Sequence, residues 1–296
     1  MSNQACLEVF IPAYGPSPYL AECIDSVLAN GNYISRCTVI DDCSPTLEIF
    51  DTVEKYQGSV EYVRNSQNLG LASTFQKAFE LSSSEFTVVM GSDDRMLRDY
   101  GLIVNRIAQD FPETCLIHPK VKIINEFGLA SYSGVDRVKS LLAPKVKTSK
   151  EMLSRDILPR LLIGDWMYFP SIAWNTQVLR NYRLDSNLKT AVDLDLLLRL
   201  STSAESFVIA ADYLFEYRRH PQSVSSKLLL DGTRIKEELG VHFLTSSNLR
   251  KQNKFLLAFL AYFALTVRLH AVKIGVVNTK GVLPRLNAIA LAFRTN

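Results

Sequence analysis

This sequence predicts an α/β fold, a mostly parallel sheet flanked by helices with a helical carboxyl-terminal tail. Three observations lead there. Between Leu7 and Met90, short β-rich runs alternate with segments whose apolar residues recur at helical spacing. Acidic residues collect where those β-rich runs end, at Asp41-Asp42 and Asp93-Asp94. The chain has 296 residues and is 47% hydrophobic, enough to bury a large core.

The elements follow in order. LEVFIP (7–12) reads as a buried strand, and PYLAECIDSVLA (18–29) as a helix through Leu20, Ile24, Val27 and Leu28. CTVIDD (37–42) is the next strand, followed by the helical LEIFDTVEKY. VEYVR (60–64) and LASTFQKAFEL (71–81) repeat the pair, and FTVVM (86–90) is a fourth strand. This rhythm predicts parallel strands covered by helices on both faces. Farther on, CLIHP and VKIIN read as strands, and Lys150–Ile163 as a helix that Pro159 disturbs. Asp193–Leu200 reads as helix, and FVIAA and LFEYRRH as strands. A boundary is expected near Ser225. It leaves a catalytic domain at 1–225, with halves at about 1–110 and 111–225, and a helical, basic extension at 226–296.

Composition narrows the function classes. The five cysteines are odd in number and include no CxxC pair, which argues against a disulfide framework or a zinc knuckle. The amino terminus has no basic stretch followed by an apolar one, so a cytoplasmic location is expected. From Gly240 to Asn296 there is no Asp or Glu against eight Lys and Arg, an asymmetry that suggests an anionic partner. The apolar runs FLLAFLAYFALTV (255–267) and LNAIALAF favour a membrane surface over nucleic acid. The first run is too short to span about 30 Å of hydrocarbon. Packing of the tail on the catalytic domain or on another subunit is the competing expectation.

In an open α/β sheet, ligands bind at the carboxyl ends of the strands, where loops and helix amino termini converge. Pro12, Ala13 and Tyr14 end the first strand and offer an aromatic face. Asp41 and Asp42 end the second; a carboxylate there can accept from a base N–H or cap the next segment. In NLGLAS, Asn68 and Gly70 open a helix with backbone room for a ligand, without a GxGxxG or a P-loop. Ser92, Asp93 and Asp94 end the fourth strand, as a polar turn or as an acid pair that a divalent cation would relieve. Asp193 and Asp195 lie at a helix start; either could be a general base, or Asp193 could cap the helix and Asp195 pair with Arg199. His220 lies in a charged segment, and Trp166, Tyr168 and Trp174 could stack on an acceptor or pack in the core.

Taken in order, IPAYGPSPYLAECIDSVL, VIDDCSP, NLGLASTFQKAF, MGSDD, VDLDLLLR and YRRHPQSVS resemble the successive motifs of family 2 glycosyltransferases. The resemblance spans about three quarters of the chain. It implies the Rossmann-like, glycosyltransferase A-type fold. It also implies an inverting transfer from a nucleoside-diphosphate sugar to a glycan or lipid-linked glycan hydroxyl, in cell-surface polysaccharide assembly. Residue by residue, it puts the donor nucleotide on Pro12, Ala13, Tyr14, Asp41, Asp42, Asn68, Gly70, Ser92 and Asp93. It puts Mn2+ or Mg2+ on Asp94, with His220 approaching the diphosphate or metal. The base falls on Asp193, with Asp195 as the alternative because Val192 replaces the usual Glu. Trp166 and Tyr168 are the candidate acceptor contacts. Peripheral attachment on the inner face of the cell membrane is the expected location. A non-catalytic nucleotide-sugar or glycan-binding module and a metal-dependent nucleotidyltransferase are the competing functions.

Overall fold

A computed structural model describes residues 6–203, 206–221 and 232–277. Its first half follows the expected alternation: β1 (Leu7–Ala13), α1 (Leu20–Leu28), β2 (Arg36–Asp41), α2 (Glu48–Glu54), β3 (Glu61–Arg64), α3 (Leu71–Leu81) and β4 (Phe86–Val89). β1 pairs in parallel with both β2 and β4, and β2 with β3. The apolar run Val9–Ala13 within β1 suits a strand covered on both faces. Its side chains alternate between two cores: Leu7, Val9 and Ile11 face a layer with Ile24, Val53 and Val104, whereas Phe10 faces one with Leu161, Trp174 and Leu197.

The second half comprises β5 (Arg95–Met96), α4 (Tyr100–Asp110), β6 (Leu116–Ile124), α5 (Gly134–Leu142), β7 (Lys150–Leu153), α6 (Ser154–Ile163), β8 (Ala173–Asn175), α7 (Thr176–Leu179), α8 (Val192–Thr202) and β9 (Ser206–Arg218). It makes the sheet mixed. The strand order is β3-β2-β1-β4-β8-β6-β9-β5, with β7 also on β9. β8 runs antiparallel to β4 and β6, while β6 and β9 are parallel.

Several expectations change. CLIHP and VKIIN form one strand, β6, whose register shifts around Lys120 absorb the irregularity between them. FVIAA and LFEYRRH join as β9. Residues 150–153 form β7 rather than helix because they pair with β9, and α6 runs through Pro159 to Ile163. α4 and α5 have no counterpart in the sequence reading. α5 carried a signal all the same: Ser133 and Asp136 form a reciprocal capping box.

The tail is α9 (Thr233–Lys251), α10 (Phe255–Phe263) and α11 (Leu265–Val277). Val241, Leu249, Ala258 and Ala261 share one core with α6 and α8, so this part of the tail packs on the catalytic region. The expected boundary at Ser225 and the run LNAIALAF lie outside the described residues.

Candidate functional site

At the carboxyl end of the parallel strands, Tyr14 is 60% exposed while Ala13 is buried, so the aromatic ring faces outward from a fixed backbone. Ala13 O accepts from the Asp42 amide, and the Gly15 amide donates to Ser44 Oγ, which ties the β1 and β2 loops together. Gly15 adopts φ +73°, a conformation glycine takes without strain.

The Asp41-Asp42 pair divides its work. Asp41 is fully buried; its carboxylate accepts from the Ser44 amide, the Tyr62 hydroxyl at 2.6 Å and the Arg64 guanidinium. Burial alone would raise its pKa, but these partners outweigh it and hold the carboxyl below the usual range. Asp41 thus braces the end of β2. Asp42 Oδ1 accepts from Asn65 Nδ2 at 2.7 Å and the Leu69 amide at 2.8 Å, and Oδ2 from the Gly70 amide at 2.9 Å. Oδ1 thus uses both of its lone pairs and Oδ2 retains one. Asp42 thus sets the turn that opens α3, where Asn68 Oδ1 also accepts from Gly70 and Gly70 has φ +78°.

The two acids after β4 also part company. Asp94 is 1% exposed, and its Oδ1 accepts from the Arg218 amide at 2.8 Å. Oδ2 is buried without a hydrogen-bond partner. Burial, and then Asp93, push this carboxyl well above the usual carboxylate range. This unpartnered Oδ2 and Asp93 Oδ1 close on the same point over Gly91, an acid pair whose repulsion a divalent cation would relieve. Asp93 faces outward, and its Oδ2 lies 2.8 Å from His220 Nε2. Asp93 and His220 are donors a divalent cation accepts, and two such ligands suit an ion completed by substrate phosphates. Among the described residues, no group of three His, Cys, Asp or Glu could hold a metal alone. Arg218 fixes the turn: its Nε donates to Asp93 O, and its Nη atoms reach Asn125 O, Glu126 O and Glu22. Sequence reading passed over Arg218 and Glu22, since neither the burial of Arg218 nor its pairing with Glu22 shows in composition or spacing.

Asp193 sits in the first turn of α8, its Oδ1 accepting from the Leu194 amide. Burial first, and then the negative charge of Asp165, raise its pKa to about 7; Arg234 and Lys139 act the other way. Asp195 is buried and ion-paired to Arg199 at 2.7 Å, one turn on. That ion pair distinguishes Asp195 from Asp193. Glu237 of α9 accepts from the amides of Lys189, Thr190 and Ala191, holding the segment that leads into Asp193. The tail thus supplies Arg234 and Glu237 to this corner, a contribution invisible to a reading that treated it as an appendage.

Trp166 and Trp174 are 1% and 0% exposed, so neither offers a stacking face; both are core residues, which corrects the acceptor expectation for Trp166. Tyr168 is half-buried, with its hydroxyl donating to Asp136 Oδ1 at 3.0 Å and Lys139 Nζ 4.5 Å from its ring centroid. Asp136 in turn pairs with Arg219.

Residues 8–147 match the family model described as glycosyl transferase family 2. An uncharacterized glycosyltransferase of Mycoplasma pneumoniae is 27% identical over 124 residues, 38% of this chain; the match spans 40% of that relative's length. The crystal structure of S. aureus TarS residues 1–349 in complex with UDP-GlcNAc has a TM-score of 0.69 at 16% identity, covering 97% of this chain and 80% of that one. GalNAc-T7 with UDP, GalNAc and Mn2+ gives 0.55 at 13% identity, over 80% of this chain and 48% of that one. At such identities these two likenesses are of fold.

Proposed function

We propose, from the match of residues 8–147 to the glycosyl transferase family 2 model and the A-type fold that the chain shares with TarS, that it moves a sugar from a nucleoside-diphosphate sugar to a hydroxyl. The acceptor is a glycan or lipid-linked glycan in cell-surface polysaccharide assembly on the cytoplasmic side of the membrane, and transfer inverts the anomeric centre. The TarS complex makes a UDP-sugar the first donor to test.

The observation that carries this reading is Asp193, a carboxyl that burial and Asp165 hold at about 7. A base whose pKa lies near the working pH is ionised often enough to act and still basic enough to take a proton. Asp193 takes the acceptor O–H proton, and the oxygen forms a bond to the anomeric carbon. The bond from that carbon to the diphosphate oxygen breaks, and its electron pair leaves with the nucleoside diphosphate. Tyr14 stacks on the base, while Asp42 and the Asn68–Gly70 turn line the nucleoside pocket. Mn2+ or Mg2+ held by Asp94, with Asp93 and His220 beside it, would neutralise the leaving group's charge. Asp93 and His220 orient that end of the donor, and the buried Asp94 and Arg218 keep Asp93 in place.

A screen of UDP-, GDP- and dTDP-sugars for binding and hydrolysis, with Mn2+, Mg2+ or chelator, tests the reading. Metal-dependent turnover of a UDP-sugar is expected. Silence toward every donor sinks the proposal.

A further inference from the structure

We propose that the outer face of α10 and α11 is a docking surface for an anionic lipid bilayer, lying in the plane of the membrane interface. On this face Phe255, Leu256, Phe259, Phe263 and Leu269 are 66%, 75%, 60%, 48% and 59% exposed. Phe255, Phe259 and Phe263 recur every four residues and so stand in one row along α10. Large apolar side chains gathered on one exposed face mark an interaction surface, unlike the same residues scattered singly.

The opposite face is built into the protein. Ala258 and Ala261 are buried in the core with α6 and α8, Ser246 Oγ donates to Ala258 O, and Thr266 Oγ1 donates to Ile163 O. Gly164 is required there, since a Cβ would come within 2.6 Å of Thr266 Oγ1. These contacts also bear on the alternative of a spanning helix. Phe255–Val272 is long and apolar enough by composition to cross a membrane. However, Ala264, at φ +42°, breaks it in two, and crossing would strip α10 from the core. The arrangement suits a helix pair lying along the interface.

Charge selects the occupant. Arg250, Lys251 and Lys254 are exposed at the turn into α10, and from Gly240 to the chain end the sequence has no acid to offset them. Anionic headgroups complement such a rim, and each basic residue near them raises partition about fivefold. Two copies of the chain meeting through this face would bring like charges together. Because the inner face is rigid, the bilayer would hold the catalytic region at a set orientation. Resting on the glycosyltransferase reading, this points to an acceptor hydroxyl carried on a lipid.

The test sediments the full chain with phosphatidylcholine vesicles, with or without phosphatidylglycerol, alongside F259S/F263S and K251E/K254E. Both variants change exposed side chains and should melt like the parent. The parent is expected to bind only the anionic vesicles and to leave them at high salt, and each variant to bind at least about tenfold more weakly. The proposal is overturned by a parent that binds neither vesicle, or by variants that bind as well as it does. It is also overturned if sedimentation velocity shows an oligomer that F259S/F263S dissolves, which would assign the face to a second copy. Soluble UDP-sugar hydrolysis on the same samples separates the two readings. Turnover without vesicle binding removes this surface alone; vesicle binding with no response to any donor removes the enzymatic reading alone.

Discussion

At Gly91 the site's order comes down to one missing methyl group. A Cβ there would lie 2.6 Å from Asp93 Oδ1 and 2.9 Å from Asp94 Oδ2, so both carboxylates close over the glycine. The space over that glycine is taken by the acids. Gly91→Ala should displace Asp93 and weaken Mn2+ binding at least about tenfold, read by calorimetry with UDP present. Asp193 allows a sharper test. Asp193→Asn should lower kcat by roughly a hundred- to ten-thousandfold while donor affinity holds, whereas Asp195→Asn keeps an active base. In the parent enzyme, kcat should climb with pH and level off above about 7. Stability runs the other way. The folded carboxyl at about 7 lies above its ordinary 3.8, so the folded state binds the extra proton between those values and loses stability as pH rises through them. Asp193→Asn removes that loss. Melts should show the variant gaining on the parent at pH 8 but not at pH 3.

Among the elements, α8 and α9 are the pair on which the chemistry depends. α8 has no side-chain cap of its own; the segment before it is gathered by Glu237, which the Lys189, Thr190 and Ala191 amides and the Thr190 hydroxyl all approach. Those bonds hold its carboxyl below the usual range despite burial, which pulls the other way. Glu237→Ala should cost about 2 kcal/mol of stability, the scale of hydrogen bonds to a charged group. It should also lower kcat more than it raises the donor KM, because Asp193 shifts while the nucleotide pocket stays. Denaturant titration and steady-state kinetics measure the two effects. Equal losses in kcat and donor binding would mean that Glu237 supports the fold at large.

For the molecule as a whole, the tail is the part whose role changes. A chain ending at Lys251 would lose α10, and with it the buried Ala258 and Ala261 that pack against the α6–α8 core. Truncation there should lower the melting temperature and expose hydrophobic dye-binding surface, whereas a dispensable appendage would leave both unchanged. Deletion is therefore a poor assay of membrane attachment, and substitutions on the outer face are the right one.

How much was legible follows from the range of each interaction. The alternation over residues 7–90 and the placing of Asp42, Asp93 and Asp193 at strand ends and a helix start are written in local spacing, and the sequence by itself determined them. The order of motifs likewise carried the resemblance to family 2 glycosyltransferases, which the family-model match over residues 8–147 supports. Burial is not local. Whether Asp93 or Asp94 turns outward depends on Arg218, 125 residues from Asp93, whose backbone amide holds Asp94 and whose side chain fills the space behind the turn. Asp41 is engaged by Tyr62 and Arg64, Trp166 is enclosed in the core, and Asp195 is paired with Arg199. Only the tertiary structure decided these, because a carboxylate's role is set by which neighbours reach it and how much water remains beside it.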